Sequence, residues 1–402
     1  MSQELHNEQT ANDVLKILHV ISGDLWAGAE AQAYTLMSSL ALISGIEVAA
    51  ATMNDGELAS RLRHAGITVF VLNENTRGSI DILFHLRDIM AQWSPQIIHT
   101  HREKENVLGS IANWWNTGVP SVRTVHGGPE RPAGMHVLNT VRRLVIEKLD
   151  RWCAENLQDR IIVVSKELAT RLSQELPTEK MVVIENGVDA ARLIVEAGVP
   201  DFRNNEPTCR HIGLVGRLVN VKRVDLFLKT AALLASTPSK QPWRFHVFGD
   251  GPLRAELETM SRELKITSFL RFHGHKRDIA TCIAGLDALV MCSDHEGLPM
   301  TALEAAALGV PLVAHAVGAM PEITPTEFLV TEHTPAAYAR GILRSIQDDG
   351  KEIARKMAEG ILAKHSAEAN AQRVLTLYRM LAAHNSATNF HSSPAPSDER
   401  EK

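Results

Sequence analysis

The chain has few cysteines, no long apolar run and no excess of positive charge. Its four cysteines among 402 residues form no C-x-x-C pair, so we expect neither a zinc site nor a disulfide framework, as is typical of a reducing cytoplasm. The net charge of −5 provides no basic field to attract nucleic acid. No run of about 18 apolar residues occurs, which argues against a membrane-spanning helix.

The two ends of the sequence are also poor in apolar residues. The opening MSQELHNEQTANDV lacks the basic-then-apolar layout of a signal peptide, so we do not expect export by that route. Residues 385–402 are rich in Ser, Pro and charge, and bury too little apolar area to offset the entropy of ordering. Residues 1–14 and 385–402 are therefore predicted to be disordered.

Between these ends, short apolar runs alternate with helix-length amphipathic segments. Runs at 15–22, 45–52, 67–72, 96–101, 121–127 and 160–165 predict parallel strands covered by helices on both faces. The alternation restarts after the irregular stretch 197–210. One core rarely exceeds about 250 to 300 residues. The sequence therefore predicts two doubly wound, Rossmann-like α/β domains, at 15–195 and 208–366, followed by a helix at 367–384.

Ligands of open α/β sheets bind where strands end and helices begin, and DHEGLPMTALEAAALGVP at 294–311 is such a junction. Glu296 is placed in the loop and Glu304 about one turn inside the helix. The N–H groups at 298–301 suit an anion such as a diphosphate. The two carboxylates would repel phosphate and accept hydrogen bonds from sugar hydroxyls instead. For this spacing alone, helix capping and surface charge are the commoner explanation.

Two other strand ends carry candidate residues. In GLVGRLVNVKR at 213–223, Arg217 and Lys222 could stabilise the charge that grows on a pyrophosphate leaving group without a metal; solvated surface residues are the alternative. In GDLWAGAEAQAYTLMSSL at 23–40, Gly28 could admit a ligand close to the backbone or form a tight turn. This stretch lacks a full G-x-G-x-x-G, so redox dinucleotide binding is disfavoured.

The histidines and one basic helix have open interpretations. His99 and His101 share one face of a strand, but no second pair with an acidic ligand accompanies them, so a metal site is disfavoured. His126 ends a strand and precedes two glycines that would let a substrate approach; a structural role is equally expected. The basic, amphipathic segment 137–155 could lie on anionic lipid, although packing against its own domain is commoner.

Four stretches together resemble the family 4 retaining glycosyltransferases. They are, in the expected order, VIENGVD at 183–189, GRLVNVK, HVFGDGPLRAELE at 246–258 and CSDHEGLPMTALEAAALGVPLVAHAVGAMPEI. The resemblance covers roughly residues 15–385. It implies the GT-B fold, in which two Rossmann-like domains face each other across a cleft, the first binding the acceptor and the second the nucleotide sugar. Ala27 and Ala319 depart from the family pattern, each standing where a glycine is common.

The resemblance also implies roles for single residues. Arg217 and Lys222 would contact the donor diphosphate, and Glu304 would hold the ribose hydroxyls. Glu296 would grip the donor sugar, which His126 would reach from the opposite domain. The remaining donor contacts would come from small or backbone groups, namely Gly28 at the first-domain loop, Gly297, Leu298 and Pro299 at the sugar, and Gly274, His275 and Lys276 near the base.

The implied enzyme is a hexosyltransferase that moves a sugar from a nucleotide diphosphate donor to a hydroxyl acceptor with retention of configuration. We expect no cofactor and no metal, a glycan or lipid-linked acceptor, and a role in cell-surface, exopolysaccharide or lipopolysaccharide synthesis. The expected location is cytoplasmic, with peripheral contact to the inner face of the plasma membrane through 137–155. A sugar-nucleotide epimerase of the same fold and a non-catalytic sugar-nucleotide-binding protein are the alternatives.

Overall fold

The computed structural model of the protein describes residues 14–23, 26–127 and 137–391. Disorder was expected at both ends, and residues 1–13 and 392–402 lie outside this described part. Among the described residues, no helix combines the length and the apolar character needed to cross a bilayer.

Seven parallel strands form the first sheet, in the order β3-β2-β1-β4-β5-β6-β7. The strands are β1 Leu15–Ile21, β2 Ile46–Thr52, β3 Thr68–Val71, β4 Ile97–His101, β5 Ser121–Val125, β6 Arg160–Val163 and β7 Met181–Val183. Their sequence order reverses between β1 and β4. In a doubly wound sheet, the crevice for ligands opens at such a reversal.

Six parallel strands form the second sheet, in the order β10-β9-β8-β11-β12-β13. The strands are β8 Arg210–Val215, β9 Trp243–Phe248, β10 Leu270–Gly274, β11 Ala288–Met291, β12 Leu312–His315 and β13 Leu329–Val330. Here the order reverses between β8 and β11. Two parallel-sheet α/β domains of Rossmann type confirm the fold predicted from the alternation of apolar runs.

Sixteen helices connect or cover the strands within the described residues. In the first part they are α1 Gly28–Ala41, α2 Glu57–His64, α3 Ser79–Trp93, α4 Glu103–Asn116, α5 Val137–Asn156 and α6 Lys166–Leu172. The middle part contains α7 Ala190–Glu196, α8 Asp201–Asn205, α9 Val224–Ala235, α10 Arg254–Glu263 and α11 Ile279–Ala284. The last are α12 Met300–Ala307, α13 Met320–Ile323, α14 Pro335–Ser345, α15 Gly350–Lys364 and α16 Ala367–His391.

The chain crosses between the two sheets twice, and the two crossings lie side by side. Val188 N–H donates to the carbonyl of His365 at 2.8 Å, and Ala367 N–H donates to the carbonyl of Val188 at 3.0 Å. Gly187 allows this contact, because a Cβ there would lie 2.7 Å from the carbonyl oxygen of Ser366. Residues 186–189 and 365–367 therefore form one paired connection between the domains.

The last helix returns to the first domain. Leu375 and Tyr378 of α16 are fully buried in the same apolar cluster as Ile17 of β1. The helix continues to His391, past the predicted end at residue 384. No proline or glycine occurs between residues 385 and 393, so nothing in the sequence stops the helix sooner.

Candidate active site

The loop between β11 and α12 brings a lysine and a glutamate together. Lys222 ends a short 3₁₀ helix, Asn220–Lys222, that follows β8, and its Nζ lies 2.5 Å from Oε1 of Glu296. Ser293 donates from Oγ to the same carboxylate oxygen at 2.6 Å. The side chain of Glu296 is only 9% exposed and that of Lys222 is 24% exposed. Two candidates 74 positions apart in sequence thus form one partly buried ion pair.

Backbone contacts fix the loop that carries Arg217 and Lys222. Leu218 N–H donates to the carbonyl of Asp250 at 2.9 Å, and Asp294 N–H donates to the carbonyl of Val221 at 2.8 Å. Gly249 is at φ +130, and a Cβ there would lie 1.9 Å from the carbonyl oxygen of Gly216. Gly249 of the FGDG stretch is therefore needed for the loop after β9 to pack against the loop after β8. Arg217 itself is exposed.

A tight turn after β12 supports Glu296 and Gly297 from below. Gly318 has φ +59, and a Cβ at this position would lie 2.3 Å from the carbonyl oxygen of Glu296. Ala319 N–H donates to the carbonyl of Gly297 at 2.9 Å. Ala319 was noted as a departure from the family pattern, yet its backbone makes this contact regardless of side chain. The turn and the loop are thus a single packed unit.

The two domains meet at Gly297. A Cβ on this residue would lie 2.7 Å from Cγ2 of Val164 and 3.2 Å from the carbonyl oxygen of His126, both in the first domain. Asn186, at the first crossing between the domains, donates from Nδ2 to the carbonyl of Leu298 at 2.7 Å. The structure therefore places His126 directly across from the loop that contains Glu296, at the carboxyl ends of both sheets.

Glu304 lies on a separate wall of the cleft. It lines a cavity of about 310 Å³ together with residues of both domains, namely Trp26, Ala31, Thr35, Arg61, Arg192, Met300 and the segment 277–281. Burial raises the pKa of Glu304 to about 7, and the nearby Arg192 guanidinium opposes this shift. The cavity is at the lower end of the range of small-molecule sites, which is about 300 to 1,000 Å³.

Other predicted positions lie near this cavity without lining it. Gly28 is the first residue of α1 and is exposed, and a hypothetical Cβ there would meet no other part of the described chain within 4 Å, so packing among these residues does not require a glycine. Residues 274–276 precede the wall, whereas the next residues, 277–281, form it. Gly274 at φ +70 accepts from Gly249 N–H at 2.8 Å and so supports the neighbouring loop.

Arg192 also lines this cavity, and no sequence pattern predicted its place there. Asp189 caps α7 by accepting from Arg192 N–H at 2.9 Å, and the guanidinium lies 5.2 Å from the ring of Tyr34 in the first domain. Aspartate in VIENGVDAAR is a recognisable helix N-cap, which predicts a helix start. The cap does not predict that Arg192, the third residue of this helix, faces the first domain.

Two family descriptions match most of the described chain. "Glycosyltransferase Family 4" matches residues 26–192, and "Glycosyl transferases group 1" matches residues 209–348. The 2-deoxystreptamine glucosyltransferase of Streptomyces kanamyceticus is 30% identical over 286 residues, or 66% of this chain and 72% of the relative. An Escherichia coli galactosyltransferase that acts on an α-D-GlcNAc-diphosphoundecaprenol is 25% identical, covering 61% of this chain and under two thirds, 64%, of the relative.

Solved structures share the fold. The Anabaena protein HepE, in complex with UDP and glucose, superposes with a TM-score of 0.75 at 20% identity, covering 91% of this chain and all of that one. Sucrose-phosphate synthase of Thermosynechococcus elongatus gives a TM-score of 0.72 at 21% identity, covering 92% of this chain and all of that one. At these identities, the likeness establishes the fold alone.

Proposed function

This chain belongs to the family 4 glycosyltransferases, and from this premise we propose that it moves a hexose from a nucleotide diphosphate sugar to a hydroxyl acceptor with retention of configuration. The proposal depends chiefly on the Lys222–Glu296 pair, whose Nζ–Oε1 distance is 2.5 Å, next to the point where Gly297 meets His126. A cation and a carboxylate thus lie next to the loop that meets a backbone group of the opposite domain.

The arrangement suits departure of a nucleotide diphosphate. In the structure, Glu296 neutralises the charge of Lys222. An entering diphosphate would draw Lys222 toward itself, and Glu296 would then accept hydrogen bonds from sugar hydroxyls. Arg217 and the N-terminus of α12, whose leading N–H groups have no acceptor within the helix, would add further positive potential. Fixed cations stabilise the leaving group most when its bond to carbon breaks, and no metal is invoked in this scheme.

Relatives point to the class of donor. The Streptomyces relative is named for glucose transfer and the Escherichia coli relative for transfer of galactose from UDP-Gal. The Anabaena structure contains UDP and glucose. We therefore place UDP-hexoses first among the donors to be tested for this chain, with a polysaccharide precursor as the acceptor class.

A donor screen separates the transferase from its alternatives. Melting temperatures measured with uridine, guanosine and adenosine diphosphate sugars should rise with one base, since a ligand at 100 times its Kd adds about 2.7 kcal/mol to the free energy of unfolding. The shifting donor is then incubated with and without hydroxyl acceptors. Sugar transfer that requires an acceptor supports the proposal. Donor conversion without acceptor would identify an epimerase, and binding without any conversion would identify a sensor.

Glu304 provides a pH-dependent test of donor binding. As a carboxylate, it would accept hydrogen bonds from the ribose, so Glu304→Gln should raise the donor Kd about 10- to 100-fold at pH 8. With a pKa of about 7, the wild-type carboxyl is protonated at pH 5.5, and the two proteins should then bind more nearly alike. Isothermal titration with the nucleoside diphosphate at the two pH values measures this, and equal affinities at pH 8 would rule out the ribose contact.

Whereas Glu304→Gln should weaken donor binding at high pH, its stability relative to wild type should increase with pH. The unfolded chain ionises this carboxyl near pH 4.5, whereas the folded protein retains the proton to about pH 7. Ionisation in the unfolded state therefore lowers the free energy of unfolding between these two pH values and changes it no further above them. Glutamine has no such proton, so the melting temperature of Glu304→Gln relative to wild type should rise from pH 4.5 to pH 7.

The exposed face of α5 supports a lipid-linked acceptor. Leu144, Val145, Leu149 and Trp152 are each 40% to 51% exposed. Lys148 and Arg151 on the same helix are also exposed. The opposite face is anchored, because Asp150 accepts from Arg123 at 2.7 Å in the domain interior. Apolar groups flanked by cations suit the interface of an anionic membrane, which we propose is the inner face of the plasma membrane.

We expect Val145→Glu/Leu149→Glu to abolish most binding to phosphatidylglycerol vesicles, since it removes apolar contact and adds repulsion. Cosedimentation with vesicles measures the bound fraction. Leu233→Glu on α9 is the matched control, because Leu233 is 42% exposed on the second domain. Equal vesicle binding by wild type and the double variant would contradict the membrane proposal, while leaving the transferase proposal untouched.

A further inference from the structure

Three histidines from neighbouring strands form a continuous hydrogen-bonded chain in the first domain. Nδ1 of His19 on β1 lies 3.0 Å from Nε2 of His101 on β4. Nδ1 of His101 lies 3.0 Å from Nε2 of His126, which directly follows β5. The strands β1, β4 and β5 are adjacent in the sheet. We refer to His19, His101 and His126 as the histidine chain.

Strand register makes the histidine chain run diagonally toward the cleft. His19 lies opposite His99, so His101 is two residues further along the neighbouring strand. His101 lies opposite Thr124, so His126 is again two residues further along. The histidine chain therefore begins at fully buried His19 and ends at His126, whose carbonyl oxygen is beside Gly297 of the second domain.

The tautomers of the three rings depend on one another. Burial lowers the pKa of His19 and of His126 to about 3 and holds the pKa of His101 well below its usual value, so all three rings are neutral at pH 7. A neutral imidazole has one N–H and one bare nitrogen. His101 uses both nitrogens in the chain, so it donates to one neighbour and accepts from the other. Fixing one ring's tautomer then fixes all three.

Only two arrangements satisfy both hydrogen bonds, and they differ in where the unused N–H lies. It is on Nε2 of His19 in one and on Nδ1 of His126 in the other. Both atoms are buried, and neither has a hydrogen-bond partner among the described residues. His19 is completely buried, and an orphaned buried N–H is rare because leaving it without an acceptor is costly. His126 as a residue is partly exposed at the boundary between the domains, so only this end of the histidine chain can be reached by a ligand that enters there.

We propose that His101 and His19 are positioning residues that hold the proton of His126 on Nδ1, so that His126 donates a hydrogen bond to an oxygen of the donor sugar. This rests on the proposed function for the identity of the ligand. A hydrogen-bond donor at this position recognises a hydroxyl or ring oxygen of the sugar by its lone pair. Without the histidine chain, His126 would exchange between two tautomers, and only the one with its proton on Nδ1 could donate this hydrogen bond to the sugar.

A metal site is the competing explanation for the same residues. Ring nitrogens of His19, His99 and His101 lie within 4.8 Å of one another. However, the His99 and His101 rings are stacked with planes 15° apart, and those of His19 and His101 are 21° apart. Lone pairs lie in the ring planes, so stacked rings direct them side by side instead of to one point. His99 also bonds to Thr124 Oγ1 at 2.7 Å and to the Tyr378 hydroxyl.

The test compares His101→Phe with His99→Phe. Both substitutions remove two hydrogen bonds from a fully buried ring of the same strand, but only the first interrupts the histidine chain. In two-bond ¹⁵N–¹H spectra of histidine-labelled protein, wild-type His126 should show a protonated Nδ1 and a bare Nε2. We expect His101→Phe to give averaged shifts for both nitrogens and His99→Phe to retain the wild-type pattern. His126→Gln identifies the signals.

Kinetics supply the second readout. His101→Phe should lower kcat/KM for the donor about three- to tenfold, as for loss of one hydrogen bond, while His101→Gln, whose amide both donates and accepts, should recover part of it. An unchanged His126 tautomer in His101→Phe, equal effects of the two Phe variants, or one equivalent of tightly bound metal would each overturn the proposal. If wild type transfers no sugar from any donor, the proposed function fails. The tautomer measurement still tests whether the histidine chain fixes the proton of His126.

Discussion

Lys222→Ala is expected to lower kcat for sugar transfer about 10²- to 10³-fold, the effect of removing one preorganised charge or donor at a developing anion. The Nζ of Lys222 is 2.5 Å from Glu296, at the loop where the two domains meet. Its charge matters most when the diphosphate leaves, so KM for the donor should change less than kcat. Steady-state kinetics over a range of donor concentrations separate the two parameters.

Two further variants define what Lys222 does. Lys229→Ala is the matched control, because Lys229 is a more exposed lysine that pairs with Asp225 at 3.2 Å on α9; its kcat should equal that of wild type. Lys222→Ala/Glu296→Gln tests whether Lys222 acts only by holding Glu296. In that case, the second substitution would add nothing to the first, and leaving-group stabilisation would be the wrong explanation. A wild-type kcat for Lys222→Ala would contradict any catalytic role.

Gly318→Ala is expected to reduce both activity and stability. The residue has φ +59, where a Cβ strains the backbone, and that Cβ would lie 2.3 Å from the carbonyl oxygen of Glu296 and 2.7 Å from that of Gly297. The loop carrying Glu296 must therefore move. Misplacement of a reacting geometry by about 1 Å can cost about 10²-fold in rate, so we expect a loss of this size in kcat/KM.

Gly309→Ala separates the clash from the backbone strain. Gly309 has nearly the same conformation, with φ +65, but within the part of the chain that the structure describes no neighbouring group lies within 4 Å of its hypothetical Cβ. It should lose about 1 to 2 kcal/mol of stability from the left-handed conformation and retain wild-type kinetics. Thermal melting and transfer assays on both variants make the comparison. Equal activities would mean that the turn at Gly318 does not hold the Glu296 loop in place.

Most of the fold could be predicted because its strands are apolar on both faces. β6, for example, begins a continuous apolar run at residues 161–164 that is bounded by Arg160 and Ser165. β7 and β13 were missed, since they contain only 3 and 2 residues and so have no detectable period. Helix α16 extends past its predicted end because its polar last residues include no helix breaker.

The site was predictable in its location and not in its contacts. Strand ends gave the positions of Lys222, Glu296 and His126, because the carboxyl edge of a parallel sheet gathers them. The pairing of Lys222 with Glu296 depends on two loops joined by the Asp294–Val221 hydrogen bond, which no local pattern encodes. Likewise, alternation placed His99 and His101 on one face, but only strand register shows that His19 and His126 extend the row.

The paired connection at Val188 and His365–Ala367 limits how the enzyme can open. Because two covalent links cross next to each other and are joined by hydrogen bonds of 2.8 and 3.0 Å, the second domain can swing about one pivot while twisting and sliding are resisted. A rotation of the second domain about this connection would withdraw Gly297 from the His126 carbonyl, and the reverse rotation would return it to the same register. A catalytic cycle that uses this rotation would rebuild the same pocket each time, with no element that has to refold.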